Sequence, residues 1–571
     1  GRHVSAANLL NTQAPGNLKH ALHNTNKDRE TWLASYNEEY DGLKELDVFD
    51  VIDKQKYLQL LEIHGKNAEA IPTMNIFNVK TDKEGNPIRA KSRIVALGNL
   101  EQRIWSREDR YAPVLNGISS RLLLSMAIED GRYLKQGDCK NAFCNGILPD
   151  DEICIVKPPM NCPNSKPGTY WKLNKTLYGL ARSAKHWYKK LSGHMIDDMG
   201  FRAMDQDKCV LKCSPIEGEP PIYVGIYVDD FIYYSKSDKV EEWFEQQLKS
   251  HVKVDFMGDV SWFLGQRYEW YTDDLDGSVS CHVSQQAFIE GLLDKHGMTE
   301  CTLAKTPFRS GCKIDRIEDD GIAADDKKDF ITKYQSIMGC INWLCINTRP
   351  DIATAYKLLS QFNCKPSKGH MDAAKYVMRY LAHTSSHGLW FKQGENRLAG
   401  CVSLPDGISG DEFLLFTDSN WGPQDASKPR ENETRTVSRE ELKSVQGFYI
   451  TRMGGPLCWG VTREKRGSRS SCIAELKSMD EGIKGIQFLR HLMTQLGLPD
   501  VNNPTPIMND NRGSLDWIES GCRPTKKLRH ENLSELGIEE AKINNEVSFH
   551  WIPGSTNPSD LFTKEDNDIK H

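Results

Sequence analysis

The sequence has few of the features that would place a protein outside the cell or in a membrane. Its 16 cysteines, among 571 residues, stand singly and never as a CxxC pair. That spacing argues against a disulfide framework or a zinc knuckle and favours reduced thiols in an intracellular protein. The longest apolar run, 122–128, ends at Glu129 and Asp130 and is too short to cross a bilayer. We therefore expect no membrane partner.

Excess positive charge is also missing. Lysine and arginine total 73 against 79 aspartates and glutamates, so the net charge is -6 and the isoelectric point is about 6.3. A surface that binds nucleic acid must therefore be local. The length exceeds what one hydrophobic core usually organises, which predicts at least two domains. Because the chain starts at Gly1, we expect a fragment or a product cut from a larger polyprotein.

Two adjacent carboxylates interrupt the most regular alternation in the chain. Asp229 and Asp230 stand between residues 222–228, where apolar residues alternate, and the apolar run 231–234. This pattern predicts a β-hairpin with both carboxylates at its tip. The two carboxylates repel each other, and burying them costs desolvation free energy. Divalent cations offset these costs. The alternative is a solvated Asp-Asp turn.

The first 400 residues alternate between strand and helix patterns. Residues 1–30 are polar and predict an extended or mobile lead-in, and a short strand signal at 132–135 precedes Asp138. Helices are predicted at 32–46, 118–128 and 240–252, and hairpins at 74–98 and 257–265. The segment 171–190 has five lysines, one arginine and several aromatic residues but no acid, which predicts a local nucleic-acid patch or a solvated basic helix face.

Beyond about residue 400 the pattern changes to β…α…β…α with acids at the ends of elements. Asp418 ends a strand, Glu475 lies near the start of a long helix, and Asp510 follows another strand. Asp560 lies at the start of a terminal helix, and a polar loop is predicted at 423–439.

Several motifs, in the same order, resemble the reverse transcriptases of copia-type (Pseudoviridae-like) long-terminal-repeat retrotransposons. Residues 227–230 read Tyr-Val-Asp-Asp, residues 137–146 read GDCKNAFCNG, and residues 177–180 read LYGL. The C-terminal acids resemble those of ribonuclease H, with Thr-Asp-Ser-x-Trp at 417–421 and Asp-x-x-Thr-Lys at 560–564. Two departures are Asn509, where relatives often have an acid, and the lack of histidine between Trp551 and Asp560.

The resemblance implies a multidomain α+β fold, a right-hand polymerase followed by an α/β ribonuclease H-like domain. After the lead-in at 1–30, it implies fingers and palm at 31–236. It implies the primer grip, thumb and connection at 237–400, and a ribonuclease H domain at 401–571.

The resemblance also implies roles for particular residues. Two Mg²⁺ ions per active site, with Mn²⁺ as a substitute, are expected on the seven acids Asp138, Asp229, Asp230, Asp418, Glu475, Asp510 and Asp560. Binding of the incoming nucleotide is assigned to Lys91, Arg93, Asn141, Ala142 and Phe143, and the primer grip to Phe263, Leu264 and Gly265. By themselves, Lys91 and Arg93 also fit an exposed strand face, Phe143 also fits core packing, and residues 263–265 also fit a plain hairpin.

The function that these motifs imply is RNA-directed and DNA-directed DNA synthesis with ribonuclease H activity, which copies a retrotransposon RNA into cDNA by two-metal-ion phosphoryl transfer. The implied partners are an RNA template, a DNA or tRNA primer, dNTPs and the RNA–DNA hybrid, and a homodimer is left open. The implied location is a cytoplasmic virus-like particle, with nuclear delivery of the cDNA complex. The alternatives are a decayed, non-catalytic element product and a group II intron or non-LTR reverse transcriptase.

Overall fold

The computed structural model describes residues 14–563 except 82–86, 150, 309–321, 324, 393–401, 421–443, 465–467, 469 and 522–536. The described residues combine helices with four β-sheets. Residues 1–13 of the lead-in, the turn at 83–86, the loop at 423–439 and Lys564 lie outside them. None of the helices in the described part of the chain combines the length and apolarity that crossing a membrane requires.

The first sheet has the strand order β1-β6-β5-β2-β3 and packs against α2. Its core contains Trp32 of α2 and Trp171, which stacks on Phe49 with ring centroids 4.1 Å apart. The predicted hairpin at 74–98 is present as β2 and β3, which pair antiparallel. The elements up to this point in the chain are α1 (Leu18–Ala21), α2 (Arg29–Glu45), β1 (Phe49–Ile52), α3 (Lys54–His64), β2 (Ile71–Thr81), β3 (Pro87–Ala96), α4 (Arg107–Arg110), α5 (Gly117–Glu129), β4 (Lys135–Cys139), β5 (Ile155–Lys157) and β6 (Tyr170–Leu173).

The expectation of an extended lead-in does not hold for residues 17–30. Asn17 caps the short helix α1 by accepting a hydrogen bond from the amide of His20 at 2.9 Å. Leu18 and Ala21 are buried in the same core as Trp32. Two apolar side chains in a polar segment are enough to anchor it, and the weak periodicity of the segment hides them.

The second sheet has the order β11-β4-β10-β9-β8-β7. Its remaining elements are α6 (Ser183–Gly193), which continues into a π-helical turn (His194–Asp198), β7 (Arg202–Ala203), β8 (Val210–Cys213), β9 (Ile222–Tyr227), β10 (Asp230–Ser235), α7 (Asp238–His251) and β11 (Val254–Asp259). The predicted hairpin with two acids at its tip is β9 and β10. Asp138 lies inside β4 and does not follow a strand at 132–135, so that predicted boundary was wrong.

The segment 257–265 does not form one hairpin, contrary to the prediction. Met257 belongs to β11, which pairs with β4. The hairpin forms instead between β12 (Trp262–Phe263) and β13 (Gln266–Thr272), with Leu264 and Gly265 at its turn in the left-handed region (φ 52° and 74°). Two strands that are adjacent in sequence thus enter different sheets, which the local alternation does not reveal.

The third sheet, β12-β13-β14-β15, lies next to a cluster of four helices. Tyr334, Ile341, Val377 and Leu381 are buried in that cluster, as their helical spacing predicts. The added elements are β14 (Val279–Ser284), α8 (Gln286–Lys295), α9 (Lys327–Asn347), α10 (Ala353–Ser360), α11 (Lys368–His383) and β15 (Gly388–Lys392).

The fourth sheet has the order β18-β17-β16-β19-β20, in which β16, β19 and β20 run parallel. The long helix α12 packs on β16 and β17; it starts after the N-cap Ser470 and stops at Gly497, whose φ of 77° suits glycine. The elements are β16 (Leu414–Asn420), β17 (Val445–Arg452), β18 (Gly455–Arg463), α12 (Ser471–Leu496), β19 (Thr505–Asn509), α13 (Arg512–Glu519), α14 (Ile538–Ile543) and β20 (Val547–Trp551).

The second and fourth sheets share one hydrophobic core. A single cluster of buried residues runs from Leu123 and Phe231 through Phe391 to Leu415 and Leu476. A side chain at Gly455 would lie 2.2 Å from the ring of Phe391, so the strands approach as closely as glycine allows. The C-terminal sheet is therefore packed directly onto the second and third sheets.

A buried ion network crosses the same contact. Arg452 at the end of β17 is 1% exposed and bonds Glu129 of α5 at 2.6 Å and Asp500 at 2.8 Å. Arg121 of α5 donates to the carbonyl of Leu457 at 2.8 Å. The attraction of the two carboxylates holds the pKa of Arg452 above its ordinary value against the effect of burial. Removing one partner from such a network leaves a buried charge uncompensated.

We expect Arg452→Met to lower the free energy of unfolding by about 3 kcal/mol, because Asp500 would keep its burial and lose its guanidinium. Urea unfolding measures this loss. The exposed Arg107 supplies the control, since Arg107→Met should change the stability by less than about 0.5 kcal/mol. Equal stabilities for the two variants would contradict a stabilising role of the network.

Candidate active sites

Asp138, Asp229 and Asp230 form the first acid group. Asp230 of β10 is directly opposite Asp138 of β4, and facing residues of antiparallel strands project from the same face of a sheet. Asp229 occupies the turn just before Asp230. The fold thus brings together acids that are 91 positions apart in the sequence (229 minus 138). The oxygens of the three acids do not all lie within 4.8 Å of one another, unlike those of the C-terminal group.

The turn that carries Asp229 is held from two sides. Val228 has a φ of 59°, a conformation that β-branched residues rarely adopt. The indole of Trp187 on α6 donates to the carbonyl of Val228 at 2.7 Å, and the amide of Cys139 donates to the carbonyl of Asp229 at 2.8 Å. Backbone strain of this kind persists only where surrounding contacts fix it. These contacts fix the position of both tip acids.

Burial and the neighbouring carboxylates disfavour the ionised forms of Asp138 and Asp230. Burial, and then the neighbouring Asp229 and Asp138, raise the pKa of Asp230 to about 6. The pKa of Asp138 is also raised, first by burial and then by Asp229, while Lys91 lowers it. Half-buried carboxylates that repel one another are the donor set that hard divalent cations prefer. The residues present therefore fit a divalent metal.

The residues assigned to nucleotide binding lie on β3 and at the turn after β4. Lys91 of β3 is close enough to Asp138 to lower its pKa, which relates the first sheet to the acid group. The guanidinium of Arg93 lies over the ring of Tyr178, 5.2 Å from its centroid. Phe143 is half-buried and meets the same ring edge-on at 5.6 Å. Ala142 is buried, and Asn141 takes a left-handed backbone (φ 52°) at the turn after β4.

The basic segment 171–190 has a mixed environment: its five lysines are exposed or half-buried, whereas Arg182 and several aromatic residues face the interior, so the prediction of a local nucleic-acid patch or a solvated basic face stays a prediction. Trp171 and Trp187 are buried core residues. Arg182 is 1% exposed and pairs with Glu101 at 2.8 Å and Glu152 at 2.6 Å. The aromatic and basic residues of an amphipathic helix pack and pair as readily as they bind phosphates, so composition alone could not separate the two outcomes.

The three residues assigned to the primer grip lie at the β12–β13 turn. Phe263 is buried, Leu264 is half-buried and Gly265 is exposed. A side chain at Gly265 would be 4.0 Å from the ring of Trp343 on α9, which is itself 38% exposed. The turn and α9 thus present an apolar edge to solvent.

The second acid group lies on the fourth sheet. Asp418 of β16, Glu475 of α12 and Asp510 after β19 each offer an oxygen, and these oxygens all lie within 4.8 Å of one another. Asp418 and Glu475 are buried. Burial, and next Asp418, raise the pKa of Glu475 well above its ordinary value. This donor set also fits a divalent metal, because a bound cation would offset the repulsion.

Asp560 lies in a short 3₁₀ helix (Pro558–Phe562) that packs on β16 and β17, and it is not part of that 4.8 Å group. Its segment still reaches the site, since the hydroxyl of Thr563 donates to the carboxylate of Asp418. The structure therefore brings three of the four C-terminal acids together and places the fourth on an adjoining element.

Sequence reasoning missed the polar side chains that position this group. Asn509 is buried, and its amide donates to Glu475 at 3.0 Å and to the hydroxyl of Thr417 at 3.0 Å. The hydroxyl of Ser478 donates to the carbonyl of Asp418 at 2.8 Å. The signal was the departure at Asn509 itself: an amide can donate to Glu475, whereas an ionised acid could only repel it.

Asp230→Asn should stabilise the metal-free protein at pH 7 by about 1 kcal/mol, with little difference at pH 4. The pKa of Asp230 is raised from 3.8 to about 6 by folding. The stability that protonated Asp230 contributes below about pH 4 is therefore lost as the pH rises through about 6. The full shift corresponds to about 3 kcal/mol, which we reduce for solvent screening.

Urea unfolding of both proteins in a chelator, at pH 4 and pH 7, measures the difference. The C-terminal acid group is unchanged in the variant and cancels in the comparison. A stability difference that is the same at both pH values would contradict the expectation.

Comparison with known proteins agrees with the motifs. The family described as reverse transcriptase (RNA-dependent DNA polymerase) matches residues 57–310. The chain is 27% identical over 472 residues to the retrovirus-related Pol polyprotein from transposon RE1 of Arabidopsis thaliana. This match covers 83% of this chain and 29% of that protein. It is 24% identical over 562 residues to the retrovirus-related Pol polyprotein from transposon TNT 1-94 of Nicotiana tabacum, and the match covers 97% of this chain and 38% of that protein.

A Ty1-DR6 Gag-Pol polyprotein of Saccharomyces cerevisiae is 22% identical over 559 residues, covering 94% of this chain and 28% of that protein. Among solved structures, a foamy viral protease-reverse transcriptase in complex with double-stranded DNA is 12% identical with a TM-score of 0.39, covering 92% of this chain and 79% of that one. The chain spans less than two-fifths of the length of these three Pol relatives. Over most of its length the chain is therefore similar to retrotransposon Pol polyproteins, and residues 57–310 match the reverse transcriptase family.

Proposed function

We propose that this chain is the reverse transcriptase and ribonuclease H portion of its Pol polyprotein, which synthesises cDNA on an RNA template and cleaves the RNA of the resulting hybrid. One observation carries the proposal: folding places Asp138 opposite Asp230 on adjacent strands, although they are 92 positions apart in the sequence (230 minus 138). A decayed, non-catalytic product would have no reason to keep these costly carboxylates together.

In the right-hand arrangement, the first sheet corresponds to the fingers, the second sheet to the palm, and the α8–α11 helices to the thumb and connection. Asp138, Asp229 and Asp230 would hold two Mg²⁺ ions, for which Mn²⁺ would substitute. When bound, such ions activate the attacking oxygen and stabilise the leaving oxygen of a phosphoryl displacement. The task of the protein is to keep the acids on one face, which the register of β4 and β10 does.

Lys91 and Arg93 would bind the triphosphate of the incoming dNTP, since both are basic and half-buried on β3, and Lys91 is close enough to Asp138 to lower its pKa. Asn141, Ala142 and Phe143 would form the floor beneath its sugar. Phe263, Leu264 and Gly265 would hold the primer end, with the apolar edge of α9 beside it. The template would be RNA or DNA, and the primer DNA or tRNA.

The C-terminal group would act on the RNA strand of an RNA–DNA hybrid. Asp418, Glu475 and Asp510, joined by Asp560, would hold the metal ions there. Asn509 and Thr563 keep Glu475 and Asp418 oriented through hydrogen bonds. Cleavage needs an attacking water, and Asp510 is half-buried whereas Asp418 and Glu475 are buried. We place this activity, as the family implies, in a cytoplasmic virus-like particle that delivers cDNA to the nucleus; a homodimer is left open.

Asp229→Asn should reduce DNA synthesis by at least about 100-fold and leave hybrid cleavage within about twofold, because it removes a carboxylate from only one acid group. Asp510→Asn should have the reverse effect. Primer extension on an RNA template and cleavage of a labelled hybrid, both with Mg²⁺, measure the two activities.

The exposed Asp259 on β11 and Asp516 on α13 supply matched controls, whose Asn variants should retain both activities. Loss of both activities in each variant would mean that the two acid groups are not separate sites. Absence of both activities from the wild-type protein would favour the non-catalytic alternative.

Phe143→Ala should raise ribonucleotide incorporation by about 10- to 100-fold, because the removed ring would no longer exclude a 2′-hydroxyl from the nucleotide site. The ratio of kcat/KM for dNTP and rNTP measures this selectivity. Phe143→Tyr keeps the ring and should keep the ratio. Unchanged selectivity in the alanine variant would mean that Phe143 only packs against Tyr178.

A further inference from the structure

Two histidines and an aspartate meet outside both acid groups, where two helices end. His194 and Asp198 are the first and last residues of the π-helical turn that continues α6, and His251 is the last residue of α7. One ligand atom from each of the three lies within 4.8 Å of the others. His251 is 53 positions from Asp198 (251 minus 198), so only the fold shows the cluster.

The spacing of the ligand atoms suits a small cation. Nδ1 of His194 is 2.7 Å from Oδ2 of Asp198, and Nδ1 of His251 is 3.7 Å from the same oxygen. Ligands of a tetrahedral zinc ion, bound at about 2.0–2.1 Å, lie roughly 3.3 Å apart. The two observed distances bracket that value, so binding needs only small side-chain movements. π-Helical turns often mark functional sites.

The local charge also favours a cation. Two helices present their C-terminal, negative ends at this point. Asp198 has the two histidines as its ion-pair partners, and no lysine or arginine within the described residues pairs with it.

The ligand types separate this cluster from the acid groups. Imidazole nitrogens suit zinc and neighbouring transition metals, whereas Mg²⁺ prefers sites made of oxygen alone. The two metal classes can therefore be distinguished in one protein. The cysteines do not provide a competing cluster among the described residues, where all 13 are free thiols.

We propose that His194, Asp198 and His251 bind one zinc-class transition-metal ion, with solvent in the remaining coordination position. The ion would fasten the end of α6 to the end of α7. This inference does not depend on the proposed polymerase and ribonuclease H activities.

The position of the site gives the ion a structural role. α6 carries Trp187, which bonds the Val228 turn, and the carbonyl of Lys253, two residues after His251, accepts a hydrogen bond from Lys140 at 2.9 Å. β11 begins at the next residue, Val254, and pairs with the strand of Asp138. An ion here would therefore brace the elements on both sides of the first acid group.

Titration of the full chain with Co²⁺, a coloured substitute for zinc, tests the proposal. The titration is made in excess Mg²⁺ and in a Glu475→Gln background, so that the carboxylate groups do not compete. We expect one Co²⁺ per chain, with the visible spectrum of nitrogen and oxygen ligands, displaced by Zn²⁺. In His251→Ala and Asp198→Asn the affinity should fall by about tenfold or more.

His64→Ala removes an exposed histidine at the end of α3 and is the matched control, with unchanged affinity expected. Zn²⁺ should raise the melting temperature of the control and not of the two cluster variants. Circular dichroism shows whether each variant folds. Equal Co²⁺ affinity in all variants, no binding at all, or an intense near-ultraviolet thiolate band would each overturn the proposal.

Discussion

Repulsion between carboxylates is the constraint on which the first candidate site depends. Three acids that the solvent only partly reaches are held close together, although burial and the neighbouring carboxylates raise the pKa of Asp138 and Asp230. Hydrogen bonds provide the compensation: strand pairing holds Asp138 opposite Asp230, and the amide of Cys139 and the indole of Trp187 fix the turn. The unusual φ of Val228 shows that the tip is held in place by its surroundings.

Local patterns predicted the elements well and their partners less well. The β9–β10 hairpin, the β2–β3 hairpin and the buried helix α5 follow from alternation and periodicity, because each depends on neighbours close in sequence. The segment 257–265 failed because its two halves pair with strands far away in the chain. No local pattern contains that information.

The residues of the candidate sites also differ in how well the sequence predicted them. The acids could be found because motifs mark them, but the side chains that orient them could not. By its sequence context Trp187 fits a nucleic-acid surface, but the residue is buried and donates a hydrogen bond to the turn that carries Asp229. Asn509 looked like a lost acid and is instead the donor that faces Glu475. In both cases the residue type fits two roles, and only the partner decides between them.

The shared core links the two acid groups mechanically, even though their chemistry is separate. α5 packs against β9 beneath the first group, and its residues Arg121 and Glu129 contact the strands β17 and β18 of the fourth sheet. β17 in turn pairs with β16, where Gly447 is opposite Asp418. A change that loosens this contact would shift the supports of both sites, whereas a change at a single carboxylate would alter only one. Loss of one activity therefore points to chemistry, and parallel loss of both points to packing.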